Sequence, residues 1–382
     1  MKVLIAGAGF CGSVIARKLA ECGVSVDIYE RRNHIAGNMY DEVDEHGIRV
    51  QRYGPHSVHT NSERVHEFLS SYGRFVPYTL TCRAEVNGRL LVSPFNYESI
   101  DFLFDTKRAA EMKSALKRAY PNATQATILE LLDSTDPLIR EWADLLYEED
   151  YTPYTAKQWG ISPEEIDKSV LRRVPVLFSY DDQYFYDKYQ YVPEDGFTAF
   201  FKKLNDHPNI TLHLNTDIKE RISIDYDKKC INGHDGIVVY TGALDSLMDY
   251  EYGVLPYRSL RFDYQTKEVD SFQSAPVVAY PKAEGYTRIT EYKKLPVQDI
   301  EGKSTVAYEY PLQFDPEDKG QEPYYPIPND ANAAMYQRYY DRVKDVRNLF
   351  ICGRLADYKY YNMDNAIERA LDTFDIIKQR LR

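Results

Sequence analysis

The stretch that decides the fold reads Lys2-Val3-Leu4-Ile5-Ala6-Gly7-Ala8-Gly9-Phe10-Cys11-Gly12. Its first five residues have the apolar character of a buried strand, and the glycines that follow match the pattern G-x-G-x-x-G. An amphipathic helical pattern continues to about Ala20, and a second strand, Val24 to Tyr29, ends on the acidic Glu30. Strand, glycine turn, helix, strand and acid in this order predict a dinucleotide-binding βαβ unit.

Each part of this pattern has a chemical reason. Glycines permit a tight turn and a close approach of the backbone to a pyrophosphate, which lies at the positive end of the helix. The acid at the end of the second strand is placed to accept hydrogen bonds from a ribose. The segment from Arg31 to Asn38 then carries an arginine and a small-residue turn, which favours FAD over NAD. The predicted cofactor contacts here are Gly7, Gly9, Phe10, Gly12, Glu30, Arg31, Gly37 and Asn38.

Bulk properties bound the class of protein. The 382 residues allow two or three domains, and 43% hydrophobic residues can form a sizeable core. No apolar run approaches the roughly 18 residues that would span a bilayer, so we expect no membrane insertion. The five cysteines are scattered and lack metal-site spacing, which predicts a reduced cytoplasmic protein without a metal. A net charge of −12 argues against a nucleic-acid partner.

Further along the chain the patterns change in type. Helical periodicity covers Asp105–Tyr120, Thr127–Leu132 and Pro137–Tyr147. Asn87-Gly88 predicts a turn in a hairpin from Arg83 to Val92. Two segments, Leu171–Tyr191 and Tyr250–Pro311, have the composition of an antiparallel sheet.

Between and after these segments the α/β pattern returns. A helix is predicted at Gly196–Asn205, strands at Ile210–Leu214 and Gly236–Thr241, and a closing helix at Asn365–Arg380. The predicted fold class is therefore α/β, with a discontinuous Rossmann-like FAD-binding domain, a helical-bundle insert and an antiparallel β-sheet domain. The expected ranges are 1–78, 192–249 and 335–382 for the FAD domain, 98–150 for the insert, and 79–97, 151–191 and 250–334 for the sheet domain, with a mobile loop near 165–177.

Several separated motifs resemble those of the flavin-dependent UDP-galactopyranose mutases. They are Gly54-Pro55-His56-Ser57-Val58-His59-Thr60-Asn61, Tyr154-Thr155-Ala156-Lys157-Gln158-Trp159-Gly160, Arg172-Arg173-Val174-Pro175-Val176, Tyr257-Arg258-Ser259-Leu260, Tyr286-Thr287-Arg288, Glu309-Tyr310-Pro311-Leu312 and Gly353-Arg354-Leu355-Ala356-Asp357-Tyr358-Lys359-Tyr360-Tyr361. The resemblance covers nearly the whole chain. It implies interconversion of a nucleotide sugar between pyranose and furanose forms, by attack of reduced-flavin N5 on the anomeric carbon, with no net redox change.

The resemblance also implies roles for individual residues. It gives catalytic roles to His56, Arg173 and Arg288. It gives substrate contacts to His59, Tyr154, Trp159, Tyr184, Arg258, Tyr310, Tyr360 and Asn362. It adds Ile218, Thr241, Gly353, Arg354 and Met363 to the FAD contacts. FAD would be active when reduced, with NAD(P)H as a transient reductant, and the protein could be a homodimer.

Three positions depart from the family pattern and leave the substrate open. The family's Tyr-Tyr-Asp-Met is Tyr360-Tyr361-Asn362-Met363 here, Leu177 stands where a second basic residue is usual, and Leu80 lies in a stretch that usually carries an Asn. UDP-galactose is the first candidate. dTDP-fucose or another deoxy or amino sugar is the alternative, since one polar change can alter sugar specificity strongly. A net redox flavoenzyme such as an amine oxidase, and a nucleotide-sugar binding protein without activity, are the remaining hypotheses.

Overall fold

A computed structural model describes residues 2–160, 171, 174–327 and 329–381. The strands are β1 Lys2–Ala6, β2 Ser25–Tyr29, β3 Asp41–Val43, β4 Arg49–Gln51, β5 Val58–Thr60, β6 Phe75–Pro77, β7 Cys82–Val86, β8 Arg89–Ser93, β9 Gln125–Ala126, β10 Val176–Leu177, β11 Tyr189–Pro193, β12 Ile210–His213, β13 Ser223–Asp225, β14 Cys230–Asn232, β15 Ile237–Tyr240, β16 Tyr257–Lys267, β17 Val277–Ala279, β18 Arg288–Glu291, β19 Ser304–Gln313, β20 Tyr325–Pro326 and β21 Leu349–Ile351.

The helices are α1 Phe10–Glu21, α2 Glu63–Tyr72, α3 Tyr97–Leu103, α4 Thr106–Ala119, α5 Ile128–Leu132, α6 Pro137–Leu146, α7 Thr152–Trp159, α8 Phe197–Asn205, α9 Leu244–Leu247, α10 Asp330–Val343 and α11 Met363–Arg380. A π-helical turn, Tyr147–Tyr151, joins α6 to α7. Within the described residues, no helix is both long and apolar enough to cross a membrane.

A five-stranded parallel sheet in the order β12-β2-β1-β15-β21 forms the first layer. Alternate residues of β1 pack into two different cores, because side chains of a strand point to opposite faces. Val3 and Ile5 lie in the core beneath α1, α8 and α11. Leu4 and Ala6 lie in a second core on the other face. The predicted α/β fold class with a Rossmann-like domain is confirmed.

A seven-stranded sheet in the order β20-β16-β19-β18-β17-β7-β8 forms the second layer. The predicted hairpin is present, because β7 and β8 pair antiparallel. All neighbouring strands of the seven-stranded sheet pair antiparallel, except β17 and β7, which run parallel. The prediction that Leu171–Tyr191 joins this sheet was wrong: β11 pairs with β5 and β6, and β10 pairs with β9.

Helices α3 to α6 cover one end of the seven-stranded sheet. Trp142 of α6 is fully buried in a core shared with Ala84 and Val86 of β7 and Leu91 of β8. Helix α7 follows without a loop and carries the Tyr154 motif. The insert therefore packs on the sheet rather than standing apart from it.

Helix α8 begins against a carboxylate that is remote in sequence. Gly196 precedes the helix with φ +87°, and Asp41 accepts hydrogen bonds from the backbone N–H groups of Phe197 at 2.7 Å and Thr198 at 2.8 Å. The Asp41 side chain is buried, and its negative charge lies at the positive end of the helix.

We expect Asp41→Ala to lower the free energy of unfolding by roughly 1–3 kcal/mol, because two buried backbone donors lose their acceptor. Urea unfolding followed by circular dichroism would measure this. The matched control is Asp299→Ala at an exposed loop position, where we expect a change within about 0.5 kcal/mol. Equal stabilities for the two variants would contradict the assignment.

Candidate active site

Backbone contacts hold the glycine turn that follows β1. Gly7 has φ +99° and donates a hydrogen bond to the Tyr29 carbonyl at 2.8 Å. A Cβ on Gly12 would lie 1.9 Å from the Gly7 carbonyl oxygen. A side chain at Gly12 would therefore push α1 away from the turn. The sequence prediction for these two glycines has this steric basis.

A second turn packs directly on the first. A Cβ on Gly37 would lie 3.1 Å from the Cα of Gly9, and Ala36 donates its N–H to the Ala8 carbonyl at 2.9 Å. Glu30 also reaches this turn, since its Oε2 accepts from the Ala8 N–H at 2.9 Å. Because Gly9 and Gly37 have no side chains, backbone atoms line the place where the two turns meet.

The two arginines after Glu30 have different surroundings. Arg31, the predicted contact, is 57% exposed and lies 3.8 Å from Glu322. Its neighbour Arg32 points inward: it donates to Asn38 Oδ1 at 3.0 Å, pairs with Glu322 at 3.1 Å and stacks on the Tyr53 ring at 4.4 Å. The chain bends directly after Glu30, and the second arginine is the one that turns toward Asn38.

The carboxyl ends of β15 and β21 complete this edge of the parallel sheet. Thr241 follows β15, and its Oγ1 donates to the Ala6 carbonyl at 2.6 Å. Gly353 follows β21 with φ +125°, and a Cβ there would lie 3.2 Å from the sulfur of Cys11. Arg354 comes next and stacks on the Tyr325 ring at 4.7 Å. Ligands of open α/β sheets bind at this edge.

Three of the predicted cofactor contacts have side chains that pack in the protein core. Ile218 is 2% exposed and lies in the core with Leu4 and Tyr240. Phe10 packs on Phe201 with ring centroids 4.8 Å apart, and Met363 packs against the same core as Phe10. Any cofactor contact of Ile218 or Phe10 must therefore come from the backbone.

The arrangement fits a dinucleotide. The turns of Gly7 to Gly12 and Ala36 to Gly37 approach each other without intervening side chains, and the acid and the inner arginine stand beside them. The neighbouring His56 Nδ1 is buried and has no hydrogen-bond partner within the described part of the chain. That polar atom needs a partner that the described residues do not supply.

The centre of the second half of the site is an ion pair on the seven-stranded sheet. Arg288 of β18 and Glu309 of β19 are direct cross-strand neighbours. The guanidinium approaches one carboxylate oxygen, Oε2, through Nε at 2.8 Å and Nη2 at 2.7 Å. Glu309 is 1% exposed, and its other oxygen has no hydrogen-bond partner among residues that the structure describes. The pair fixes the Arg288 side chain on this face.

Two further groups share the face by register. Arg258 of β16 is paired with Tyr325 of β20, and both lie on the side of the sheet that carries Glu309. Arg258 is 4% exposed, and burial lowers the pKa of its guanidinium to about 10. The face therefore combines two guanidinium groups with a tyrosine hydroxyl, which suits a phosphate ligand.

Two predicted tyrosines approach the same place from other elements. Tyr154 lies on α7 and Tyr184 in the segment before β11. Burial raises the pKa of Tyr154 to about 12, while the charge of Arg288 opposes that rise. Burial also raises the pKa of Tyr184, which interacts with Tyr154 and Arg288. Both hydroxyls therefore stay protonated and can donate hydrogen bonds beside Arg288.

His56 lies where the two halves of the site meet. Its loop is held by Gln51, whose Nε2 donates to the His56 carbonyl at 3.0 Å. Burial, together with the nearby charges of Arg354 and Arg288, lowers the pKa of His56 to about 3. The imidazole is therefore neutral at any working pH.

His59 has a different environment. Its Nδ1 lies 2.9 Å from Asp187 Oδ2, and its ring stacks on Phe185 with centroids 3.6 Å apart. Asn61 donates to the other oxygen of Asp187 at 2.8 Å. The carboxylate and the stacked ring fix the orientation of the imidazole.

Tyr310 lies away from the Arg288–Glu309 pair. Tyr310 follows Glu309 in a regular strand, so its side chain lies on the opposite face of the sheet. There it packs with Arg261, whose guanidinium is 3.9 Å from the ring, and with Tyr286. Tyr325, which the sequence analysis did not select, lies on the face of the sheet that carries Arg258 and Glu309. The doublet Tyr324-Tyr325 before Pro326 is the sequence signal for it.

The remaining predicted substrate residues lie near α11 or α7. Tyr360 is 46% exposed and stacks on Tyr325 with ring centroids 5.4 Å apart. Asn362 is exposed and is the N-cap residue of α11, with its N–H bonded to Asn365 Oδ1 at 3.2 Å. Trp159 ends α7. Arg173 and residues 165–170 and 172 of the predicted mobile loop near 165–177 lie outside the described residues.

Lys157, also on α7, has a structural role that the sequence analysis did not assign. Its ammonium group donates to the carbonyl oxygens of Tyr280, Ala283 and Tyr286, each at 2.7 Å. Burial lowers the pKa of Lys157 to about 8. The lysine therefore fastens α7, and with it Tyr154, to the turn between β17 and β18.

Comparison with known proteins agrees with this geometry. Residues 150–360 match the family model described as UDP-galactopyranose mutase, and residues 5–72 match that of an NAD(P)-binding Rossmann-like domain. The chain belongs to the UDP-galactopyranose mutase family.

The similarity to its relatives covers nearly the whole length of the chain. The chain is 37% identical over 374 residues to a dTDP-fucopyranose mutase of Escherichia coli, which covers 97% of both chains. It is 36% identical to a probable UDP-galactopyranose mutase of Klebsiella pneumoniae, over 98% of this chain and 94% of the relative. A crystal structure of reduced UDP-galactopyranose mutase shares the fold with a TM-score of 0.71 at 16% identity, over 99% of this chain and 94% of that one. The chain is thus an enzyme of the nucleotide-sugar mutase type.

The depressed pKa of His56 makes a prediction about acid stability. The folded-state pKa of about 3 lies below the ordinary 6.5, so between these values the unfolded chain binds a proton that the folded chain refuses. The contribution of His56 to stability is present above pH 6.5 and is lost as the pH falls toward 3.

We therefore expect wild type to lose about 1–2 kcal/mol more than His56→Gln when the pH falls from 7 to 5. Urea unfolding of both proteins at the two pH values measures the difference. Parallel losses in the two proteins would show that His56 is not buried in its neutral form.

Proposed function

We propose that this enzyme is an FAD-dependent mutase that interconverts the pyranose and furanose forms of a nucleotide-diphosphate sugar. The observation that carries the proposal is the meeting of two sites. The dinucleotide turns lie beside Arg354 and His56, and a face with Arg288 and Arg258 lies next to them. Phosphate recognition beside a cofactor edge is what this reaction requires.

The cofactor would be held by the backbone of the two glycine turns and by Glu30, Arg32, Asn38 and Arg354. When bound and reduced, flavin supplies N5 as the nucleophile toward the anomeric carbon. NAD(P)H is the proposed transient reductant. FAD is favoured over NAD because a turn of small residues, Ala36-Gly37, follows Glu30, the expected ribose contact. This turn packs on the first glycine turn, Gly7 to Gly12.

The protein residues act on the substrate's charge and orientation. Arg288, positioned by Glu309, would stabilise the diphosphate as it leaves the sugar. Tyr154, Tyr184 and Tyr325 would donate hydroxyl hydrogen bonds to the same group. His56, held neutral, would present a hydrogen-bond donor or acceptor at the cofactor edge without adding charge there.

UDP-galactose is the proposed substrate, and dTDP-fucose is the alternative. Relatives with these two names are nearly equally similar to the chain, at 36% and 37% identity. Product analysis must decide between them.

We expect the dithionite-reduced holoenzyme to convert UDP-galactopyranose to its furanose isomer, resolved by anion-exchange chromatography. dTDP-fucopyranose is assayed in parallel, and the ratio of the two kcat/KM values identifies the substrate. The oxidised enzyme is expected to be inactive with both. If neither sugar yields a furanose and an amine substrate consumes oxygen instead, the proposal is wrong and the oxidase alternative holds.

A matched pair of variants tests which face of the sheet binds the substrate. Arg288→Ala is expected to lower kcat by about 10²–10³-fold, because the diphosphate loses a charge-assisted donor, while flavin remains bound. Tyr325→Phe is expected to lower kcat by a smaller factor, about tenfold.

The controls are the corresponding residues of the opposite face. Arg261→Ala and Tyr310→Phe remove the same chemical groups there, so we expect activity within about twofold of wild type. A loss of activity in the controls that matches the loss in Arg288→Ala and Tyr325→Phe would contradict the assignment of the face.

A further inference from the structure

The turn between β17 and β18 is built around a lysine that belongs to another element. The ammonium group of Lys157, on α7, donates hydrogen bonds to the backbone carbonyl oxygens of Tyr280, Ala283 and Tyr286, each at 2.7 Å. An ammonium group has three N–H donors and no acceptor, so these carbonyls use its whole capacity. The three contacts therefore require the protonated form of Lys157.

Helix α7 has few other attachments. It begins at the π-helical turn, whose last residue, Tyr151, is buried in the core of the helical insert. None of the described side chains of α7 itself belongs to an apolar core. Apart from Lys157, no described side chain of α7 forms a hydrogen bond to another described element. The position of the helix beyond its first turn therefore depends on Lys157.

Arg288, by contrast, is fixed without help from α7. It lies in β18 between Ala279 of β17 and Glu309 of β19. Its guanidinium group also contacts the buried Glu309 carboxylate at 2.7 Å. Backbone pairing on both sides and the ion pair hold this residue in place. If one partner of the site moves relative to the other, it is the helix that moves.

The lysine connects Tyr154 to the strand of Arg288. Tyr154 lies one helical turn before Lys157, on the same side of α7. Tyr286, which accepts a hydrogen bond from Lys157, lies two residues before Arg288. Helix α7 also contacts β19, the strand next to that of Arg288. The lysine thus sets how far the Tyr154 side chain stands from the guanidinium.

We propose that Lys157 is a positioning residue for substrate binding: it holds Tyr154 at the separation from Arg288 that lets both side chains bind one diphosphate, and loss of its proton weakens that binding. This inference rests on the proposed function, since it assumes a diphosphate between these two side chains. Lys157 does not touch the substrate in this scheme. It acts through Tyr154.

The charge of Lys157 can change near physiological pH. Burial lowers the pKa of Lys157 to about 8, so the side chain loses its proton as the pH rises through that value. A neutral amine keeps two N–H donors and gains a lone pair, which would face a carbonyl oxygen. Three carbonyls cannot then all be satisfied, and the attachment of α7 weakens.

Several other titratable or charged groups lie on the elements around Lys157. They are Tyr154 of α7, Tyr280, Lys282, Glu284 and Tyr286 of the turn, Glu149 and Asp150 of the π turn, Glu85 of β7, Arg288 of β18, and Tyr308, Glu309 and Tyr310 of β19. Burial raises the pKa values of Tyr154, Tyr280, Tyr286 and Tyr308, so these tyrosines stay protonated between pH 7 and 9.

The test uses the FAD-loaded, oxidised enzyme and isothermal titration calorimetry with UDP-galactose and, in parallel, dTDP-fucose. With a pKa of about 8, about nine in ten Lys157 side chains are protonated at pH 7 and about one in ten at pH 9. We therefore expect the affinity to fall by about tenfold between these pH values. Titrations at pH 8 in two buffers of different ionisation enthalpy should show uptake of roughly 0.4 proton per bound substrate.

Lys157→Met is expected to bind substrate about tenfold more weakly at pH 7, to keep its flavin, and to lose the proton uptake. The matched control is Lys282→Met in the same turn, which removes an equal charge. The Lys282 ammonium is half-exposed and pairs with Glu149 at 2.6 Å, so we expect its loss to change affinity by less than about twofold. Equal losses in the two variants would indicate a general charge effect and overturn the inference.

A double-mutant cycle tests whether Lys157 acts through Tyr154. In a Tyr154→Phe background, Lys157→Met is expected to change the affinity by less than about twofold, because the hydroxyl that it positions is gone. A full tenfold loss in that background would overturn the inference.

Wild type alone also decides the matter, whatever the variants do. Constant affinity between pH 7 and 9 without proton uptake would overturn the inference. Furanose formation is measured separately at pH 7. An enzyme that forms furanose but shows no proton uptake would refute the role of Lys157 alone. An enzyme that neither binds these nucleotide sugars nor forms furanose would refute the proposed function, and this inference with it.

Discussion

The site depends on one ion pair, between the partly buried Arg288 and the buried Glu309. Two contacts join the guanidinium to Oε2, and neither uses Nη1. The buried Glu309 carboxylate would be strongly disfavoured without a partner, while a guanidinium fully engaged by that carboxylate could not bind a phosphate. Partial engagement resolves this conflict, because Glu309 holds the Nε side of the group. Arg258 interacts with the Glu309 carboxylate, and Tyr154 interacts with both members of the ion pair.

The sequence predicted the parallel sheet and its glycine turn well, because every part of that pattern is local. The strand, the steric need for Gly12 and the acid at the end of β2 follow from neighbours within one βαβ unit. The segment Leu171–Tyr191 failed for the opposite reason. Its composition is typical of strands, but composition does not determine which strands pair with each other. In the structure, β11 pairs with β5 and β6.

The motifs located segments of the candidate site, but they did not give the direction of each side chain. A motif identifies a segment, but adjacent residues of an extended segment point to opposite sides. In β19, Tyr310 lies on the face opposite to Glu309 and Arg288. After β2, Arg32 rather than Arg31 donates a hydrogen bond to Asn38.

The structure gives a simple explanation for Asn362, which stands where the family has Asp. Asn362 begins α11 as its N-cap, a position where Asn and Asp are about equally favourable. Replacing the family's Asp by Asn there preserves the cap and so gives no reason to expect a different sugar. Leu177 is 4% exposed beside the core of the helical insert, which explains an apolar residue there. Asn362 and Leu177 thus fit the helix end and the packing in which they lie. A departure from the family pattern can therefore be explained by the fold at these two positions, and the choice between galactose and fucose rests on product analysis.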